Sequence, residues 1–432
     1  MSDLMHFDTN KPLSRAALLV ALLLALAGSW FIVRWYLGNT MAEFLITEDS
    51  GLVMARRAVS WAPGDPLTHW RLGQTVQTQL PPDHLVQVIK EYEKAVSLSP
   101  NDYRFWMALG TALEQSGDVD GGEKALQQAV ELAPSYAYPR WYLGNLLLRS
   151  GRYAEAFAEL RRASEADPGF RSQLFNLVWE VYNQNFELLK TAVGTPATAR
   201  AEFSQYLLER QRFEDGILLW QSLSEAEKRA NRSTGEALIS TLVGAKRYHQ
   251  AVDVSNDLAP TPALRAAEGR FVDPGFEENL THQAETIFGW KITSVQQAQV
   301  GIDRGLGHSG SRSLRIVFQI RSRLASISLS QVVPVAPDTQ YDFECYLKTE
   351  KLQSGTTPWV EIIDATEGSV VATSEPAPNG NSDWQRIPIS LKTGAKTEAL
   401  TVRINRATCD KDAVCPIFGT VWYDDFNFKR RS

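Results

Sequence analysis

Apolar residues fall into three successive patterns along this chain. From Ala16 to Val33 no charge interrupts the apolar run, which continues past Arg34 through Trp35, Tyr36 and Leu37. A helix of that length can span a hydrocarbon core of ~30 Å. From about residue 43 to residue 258 apolar positions recur with helical spacing, and between Pro100, Pro134 and Pro168 the pattern itself repeats every 34 residues (134 − 100 and 168 − 134). After about Arg270 the spacing becomes alternating, in Val, Ile, Thr, Tyr and Phe, between turns rich in Gly, Asn, Asp and Pro. Alternation of that kind predicts strands. Residues 16–37 are thus expected to form a membrane helix after a short 1–15 segment, residues 43–258 a helical array, residues 259–269 a linker and residues 270–430 a β domain.

Each recurring residue of the array has a steric role. Leu109-Gly110 returns as Leu143-Gly144, and Gly117 as Gly151. Ala95, Ala129 and Ala163 share one offset before their prolines. Antiparallel helices that stack on a neighbouring pair need small residues where backbones approach and large ones where gaps remain. Gly117 and Gly151 suit the turn between helices, and Pro134 and Pro168 stop the second helix. The earlier unit around Leu72-Gly73 is three residues longer (100 − 63 = 37), with the extra material at Leu80-Pro81-Pro82-Asp83. From about Pro66 to Pro168 the chain resembles the tetratricopeptide repeat family. Arg212 to Gly216 with Trp220, and Arg247 to Ala251, read as divergent repeats, and Gly51 to Trp61 as a lone second helix that caps the array at its membrane end. The resemblance implies an α-solenoid with a concave groove that docks a protein partner. By repeat geometry its lining includes Trp70, Gln74, Met107, Thr111, Glu114, Tyr138, Trp141, Asn145 and Arg149.

Lys11 and Arg15 precede the apolar run, and Trp30, Trp35 and Tyr36 sit where an interfacial aromatic belt would lie. This places the N-terminus in the cytoplasm and everything after residue 38 outside. Ala25-Leu26-Ala27 has the form of a signal-cleavage site, but Trp30-Phe31-Ile32-Val33 would be an odd mature start, so an uncleaved single-pass anchor is expected.

The alternating region offers eight candidate strands: 313–320, 325–333, 340–349, 359–365, 369–373, 384–391, 398–405 and 420–428. Eight short strands without helices between them predict a β-sandwich or jelly roll. Asp273 to Glu277, Gly289-Trp290, Ser309 to Leu314, Trp384 and Trp422 to Phe426 occur in the order found in the galactose-binding-like jelly rolls, which include many carbohydrate-binding modules. That resemblance implies a glycan contact. Alternation turns Glu344 and Tyr346 outward on one strand, Trp359 on another, and Arg403 and Asn405 on a third. An aromatic face with planar polar groups is what a sugar needs. Glu277 and Asp425 stand where similar modules hold a structural calcium ion. Trp290 and Trp422, among apolar neighbours, read as core. Cys409 and Cys415 could close a small disulfide in an oxidising compartment, which leaves Cys345 as a core thiol.

Composition narrows the function further. The 432 residues carry a formal net charge of −6 and a pI near 5.7, and no basic run exceeds Lys429-Arg430-Arg431. A nucleic-acid partner is therefore not expected. The six histidines are scattered, with no HExxH spacing, GxSxG elbow or phosphate-binding glycine loop, so no catalytic residue is assigned. The reading is a non-catalytic scaffold or adaptor anchored in a bacterial inner membrane. Its periplasmic repeats would bind a protein and its β module a polysaccharide, by analogy with proteins that accompany envelope polysaccharide assembly or export. The alternatives are a pure protein–protein scaffold in secretion or pilus assembly, and a glycan-processing enzyme.

Overall fold

The structure, a computed structural model, describes residues 11–44, 51–79, 84–182, 185–278, 287–292, 298–318, 329–407 and 416–431. Two compact units are present, Met1–Gly194 and Thr195–Ser432.

The first unit is a stack of antiparallel helix pairs. Its helices are α1 (Pro12–Phe44), α2 (Gly51–Trp61), α3 (Pro66–Gln79), α4 (Leu85–Leu98), α5 (Tyr103–Gln115), α6 (Val119–Leu132), α7 (Ala137–Arg149), α8 (Tyr153–Ala166), α9 (Arg171–Tyr182) and α10 (Phe186–Val193). The glycines mark where pairs cross. A Cβ on Gly110 would lie 2.7 Å from Leu126 and one on Gly144 2.7 Å from Leu160, each in the opposing helix of its pair. Ala95, Ala129 and Ala163 are fully buried at equivalent places in the second helices. Gly117 (φ 95°) and Gly151 (φ 75°) carry the left-handed turn between helices. The 80–83 insertion lies outside the described residues.

Helix α2 is not a lone helix, as the sequence pattern suggested. The last turns of α1 are its partner. Gly38 is buried against Ala62, the Arg34 guanidinium donates to the Ser60 carbonyl at 2.6 Å, and Asn39 donates to Asp65 at 2.8 Å. The motif Trp35-Tyr36-Leu37-Gly38 is identical to Trp141-Tyr142-Leu143-Gly144 and lies 35 residues before Leu72-Gly73 (72 − 37). One helix therefore carries both the apolar run and the first repeat position. Its most apolar 18-residue window has a mean hydropathy of 2.5 and is not buried within the protein, so α1 is long and apolar enough to cross a membrane.

The second unit begins with two more helix pairs, α11 (Ala197–Glu209) with α12 (Phe213–Gln221) and α14 (Arg232–Gly244) with α15 (Tyr248–Leu258), separated by the short α13 (Glu225–Ala230). The turn position held by glycine in the first unit is held here by Gln211 (φ 61°) and Lys246 (φ 63°). Ten strands follow among the described residues: β1 (Lys291–Ile292), β2 (Ala298–Asp303), β3 (Ser313–Phe318), β4 (Leu329–Pro334), β5 (Gln340–Ser354), β6 (Trp359–Asp364), β7 (Val370–Thr373), β8 (Gly380–Lys392), β9 (Ala399–Asn405) and β10 (Ile417–Arg430). They form two antiparallel sheets, β1-β4-β9-β6-β7 and β2-β3-β10-β5-β8. Both sheets contribute to one core, with Leu329, Val360, Ile362, Val402 and Ile404 from the first and Leu314, Ile316, Phe343, Cys345 and Val421 from the second. Trp290 is buried in that core, and Trp422 is also buried.

The 259–269 segment is packed. Leu264 and Ala266 are buried in a core shared by Trp220, Leu238, Leu242, Ala251 and Leu258 of the helices and Val272, Phe288 and Ala399 of the β region. Asn256 fixes Ala266 through both its backbone N–H and its carbonyl, at 2.9 Å each. Tyr248 donates to the Ala365 carbonyl at 2.9 Å, and the His249 N–H to Glu398 at 3.2 Å.

Candidate functional site

The first helices of successive pairs, α3, α5 and α7, line a groove with two adjoining cavities of about 510 and 640 Å³. Thr111 and Tyr142 border both. The nearer cavity holds Trp70, Arg71, Gln74, Arg104 and Met107, with Ala42 and Glu43 of α1 as one wall. The farther holds Glu114, Tyr138, Trp141, Asn145 and Arg149. Every groove residue expected from the sequence thus lines one cavity or the other. Helical spacing is the reason. Residues 138, 141, 145 and 149 are three or four apart and share one face of α7.

Aromatic rings set the floor. Trp70 packs on Phe105 at a centroid distance of 5.8 Å, Trp141 stacks on Phe170 at 4.5 Å, and Tyr138 meets the same Phe170 edge-on at 5.3 Å. The polar groups differ between the cavities. In the farther one Arg149 donates twice to Glu114, at 2.6 and 2.8 Å, joining consecutive repeats and neutralising both charges. Asn145 donates to the Trp141 carbonyl. In the nearer one Arg104 pairs with Asp102. Arg71 has no carboxylate partner among the described residues. It donates to Gln74 at 3.2 Å and lies 5.1 Å from the Trp70 ring. Its Nε and the Trp70 Nε1 are buried without a hydrogen-bond partner, and buried donors seldom remain so. Sequence spacing missed Arg71, Tyr142 and the α1 wall. The Trp-x-Leu-Gly register was the available signal, since Arg71 and Tyr142 both follow its tryptophan.

The five sugar-contact candidates divide between the two sheets. Glu344 and Tyr346 lie on β5, whereas Trp359, Arg403 and Asn405 lie on β6 and β9. The second group converges: Trp359 is paired with Asn405 in register, and Glu361 accepts from Arg403 at 2.5 Å and from Asn405 at 3.2 Å. Tyr346 is stacked against His308 at a centroid distance of 3.5 Å, and Glu344 pairs with Arg386 at 2.7 Å. The Arg386 hydrogen bond holds the Glu344 carboxyl below its ordinary range. Glu344 and Glu361 are on different sheets, each tied to its own arginine.

Glu277 and Asp425 both meet the 308–312 loop, through separate donors. Glu277 accepts from the Ser311 and Arg312 N–H groups at 2.8 and 3.0 Å. Partial burial opposes its ionisation, but these donors prevail and depress its pKa. Asp425 is bound by His308 Nδ1 and the Ser309 hydroxyl, at 2.6 Å each. Among the described residues no three His, Cys, Asp or Glu side chains converge as metal ligands. Cys409 and Cys415 lie outside the described residues, and Cys345 is a buried free thiol.

Helix pairs that stack with small residues at each crossing and an open inner face are a repeat scaffold. The tetratricopeptide repeat family model matches residues 89–137 and 107–169, so the chain carries tetratricopeptide repeats. Superkiller protein 3 of Saccharomyces cerevisiae is 23% identical over 119 residues, 26% of this chain and 8% of that protein. Small glutamine-rich tetratricopeptide repeat-containing protein 2 of Mycosarcoma maydis is 32% identical over 80 residues, 18% of this chain and 23% of that protein. The chain therefore spans a small part of either relative. Among solved structures, MamA from Desulfovibrio magneticus RS-1 gives a TM-score of 0.32 at 16% identity, covering 41% of this chain and 96% of that one.

Proposed function

We propose that this protein is a membrane-anchored scaffold that docks a protein partner in the groove of α3, α5 and α7. The observation that carries the reading is the pair of adjoining cavities floored by Trp70, Trp141, Tyr138 and Phe170. Apolar floors with a polar rim suit an extended or helical peptide. Tetratricopeptide repeats in the first unit support the same reading. The apolar length of α1 supports the anchor, and Lys11 and Arg15 before it support an outside, periplasmic location for the rest. The test is in-cell photocrosslinking from Tyr138 or Thr111 replaced by a photoreactive residue. One dominant adduct, lost on Trp141→Ala, is expected. Adducts no more frequent than from an exposed site outside the groove, such as Val86, would sink the proposal.

The β region supplies a second contact, and a glycan is the partner we favour. Two sheets over one core support a sandwich of the galactose-binding-like kind. Trp359 beside Glu361, Arg403 and Asn405 joins a ring to planar polar groups. Glycan-array binding of the whole chain that disappears in Trp359→Ala is the expected result. Binding to no sugar would leave the pure protein scaffold.

A further inference from the structure

We infer that the nearer groove cavity takes an acidic segment of a partner that is itself embedded in the same membrane, captured where that partner's chain leaves the bilayer. The inference rests on the membrane-anchored reading of α1 and names the partner of the groove.

Geometry places the cavity. Helix α1 is continuous from Pro12 to Phe44, its uncharged run ends at Val33, and Ala42 and Glu43 form a wall of the cavity. Nine residues of helix (42 − 33) advance about 13 Å. Gly38 against Ala62, Arg34 on the Ser60 carbonyl and Asn39 on Asp65 lock this part of α1 to the array. A rigid helix with no flexible linker thus holds the cavity beside the bilayer surface. A partner reaching it in solution would have to enter a space bounded by headgroups, whereas a segment emerging from the bilayer starts there.

Charge selects the segment. Of the three guanidiniums lining the groove, Arg149 and Arg104 are neutralised by Glu114 and Asp102. Arg71 has no such partner among the described residues. A half-buried guanidinium that has no counter-ion among the described residues and donates only to Gln74 is satisfied by an incoming carboxylate. Glu43 is exposed on the α1 rim and repels an acidic chain running along that wall, which directs the carboxylate to the Arg71 side. The farther cavity has no free charge and reads shape through its rings.

The test uses the full chain in phosphatidylcholine nanodiscs with a photoreactive residue at exposed Thr78 of this cavity. The probe is a decapeptide alternating Glu and Ser, either free or acylated so that it sits in the same bilayer. We expect saturable crosslinking, with half-saturation at least about tenfold lower for the acylated peptide, because tethering raises its local concentration. Arg71→Glu should reduce the yield about tenfold and favour a Lys/Ser peptide, whereas Arg71→Lys should retain it and show that the array is folded. Equal yields for Glu and Lys peptides, or indifference to Arg71→Glu, would overturn the acidic preference. Adducts to lipid in phosphatidylserine nanodiscs that exclude the peptide would assign the cavity to headgroups instead. Equal half-saturation for free and acylated peptide would overturn the membrane-embedded partner. Carbonate extraction of the whole chain from membranes is scored separately. Release there would refute the anchor without touching the charge result from the free peptide.

Discussion

Gly38 of α1 lies against Ala62, the residue that follows α2: a Cβ on Gly38 would stand 2.6 Å from the Ala62 Cβ and 2.9 Å from its backbone nitrogen. Backbone cannot yield as a flexible side chain can. Gly38→Val should therefore separate α1 from the array at a cost of about 1–3 kcal/mol, the usual range for overpacking. New protease cleavage near residues 45–50 and a lower melting temperature of the whole chain in detergent are the expected readouts. A digestion pattern like that of the parent chain would show that α1 is not part of the array.

The left-handed turn offers a change in the opposite direction. Gln211 and Lys246 adopt the conformation that Gly117 and Gly151 adopt in the first unit. A residue with a Cβ is strained there by roughly 1 kcal/mol, although glycine also frees the unfolded chain. Lys246→Gly should raise stability by about 0.5–1 kcal/mol in urea denaturation. A loss of that size would mean that the Lys246 side chain contributes more than its backbone conformation costs.

Helices α11–α15 and the β region should unfold together. Leu258, Leu264, Val272, Phe288 and Ala399 belong to one buried cluster, and Tyr248 reaches Ala365. A fragment of residues 195–432 is expected to melt in one cooperative transition. Residues 264–432 alone would expose that cluster and aggregate or melt earlier. Equal melting temperatures for the two fragments would refute the shared core.

Asp424 sets a pH dependence. Burial drives its carboxyl up to about 6 from an ordinary value of 3.8, with Asp425 adding repulsion, despite the N–H groups of His308 and Ser309. The folded chain then keeps a proton that the unfolded chain releases. Stability is therefore fully present below about pH 4, falls as pH rises to about 6, and is flat above that. The loss is at most about 3 kcal/mol for a shift of this size. Urea denaturation at pH 4 and pH 7.5 should show a smaller difference for Asp424→Asn than for the parent chain. The same difference in both would exclude Asp424 as the source.

Much of the fold was legible because it is built from short-range periods. The repeat between Pro66 and Pro168 located the helix pairs from α3 to α8, and all eight expected strands have counterparts, from Ser313–Phe318 to Ile417–Arg430. The short β1 and β2 were missed. Lys291–Ile292 is too brief to show alternation, and Gly301 interrupts it in Ala298–Asp303. The Trp35-Tyr36-Leu37-Gly38 motif was visible but masked by the apolar run, which assigned the same residues to a membrane interface.

The sequence by itself determined which residues face inward and which outward, since helical and strand periods are local consequences of backbone geometry. It therefore put Tyr138, Trp141, Asn145 and Arg149 on one face of a helix and set the alternation along β5 and β9, although Glu361 of β6, outward by alternation, is buried. Which outward residues become neighbours was left to the tertiary structure. The order β1-β4-β9-β6-β7 joins Trp359, Arg403 and Asn405 and leaves Glu344 and Tyr346 on the other sheet, and strand order is a non-local outcome of core packing. The same holds for α1, whose apolar length is written in its residues. Its contacts with residues far along the chain, Gly38 with Ala62, Arg34 with Ser60 and Asn39 with Asp65, make it the first helix of the array.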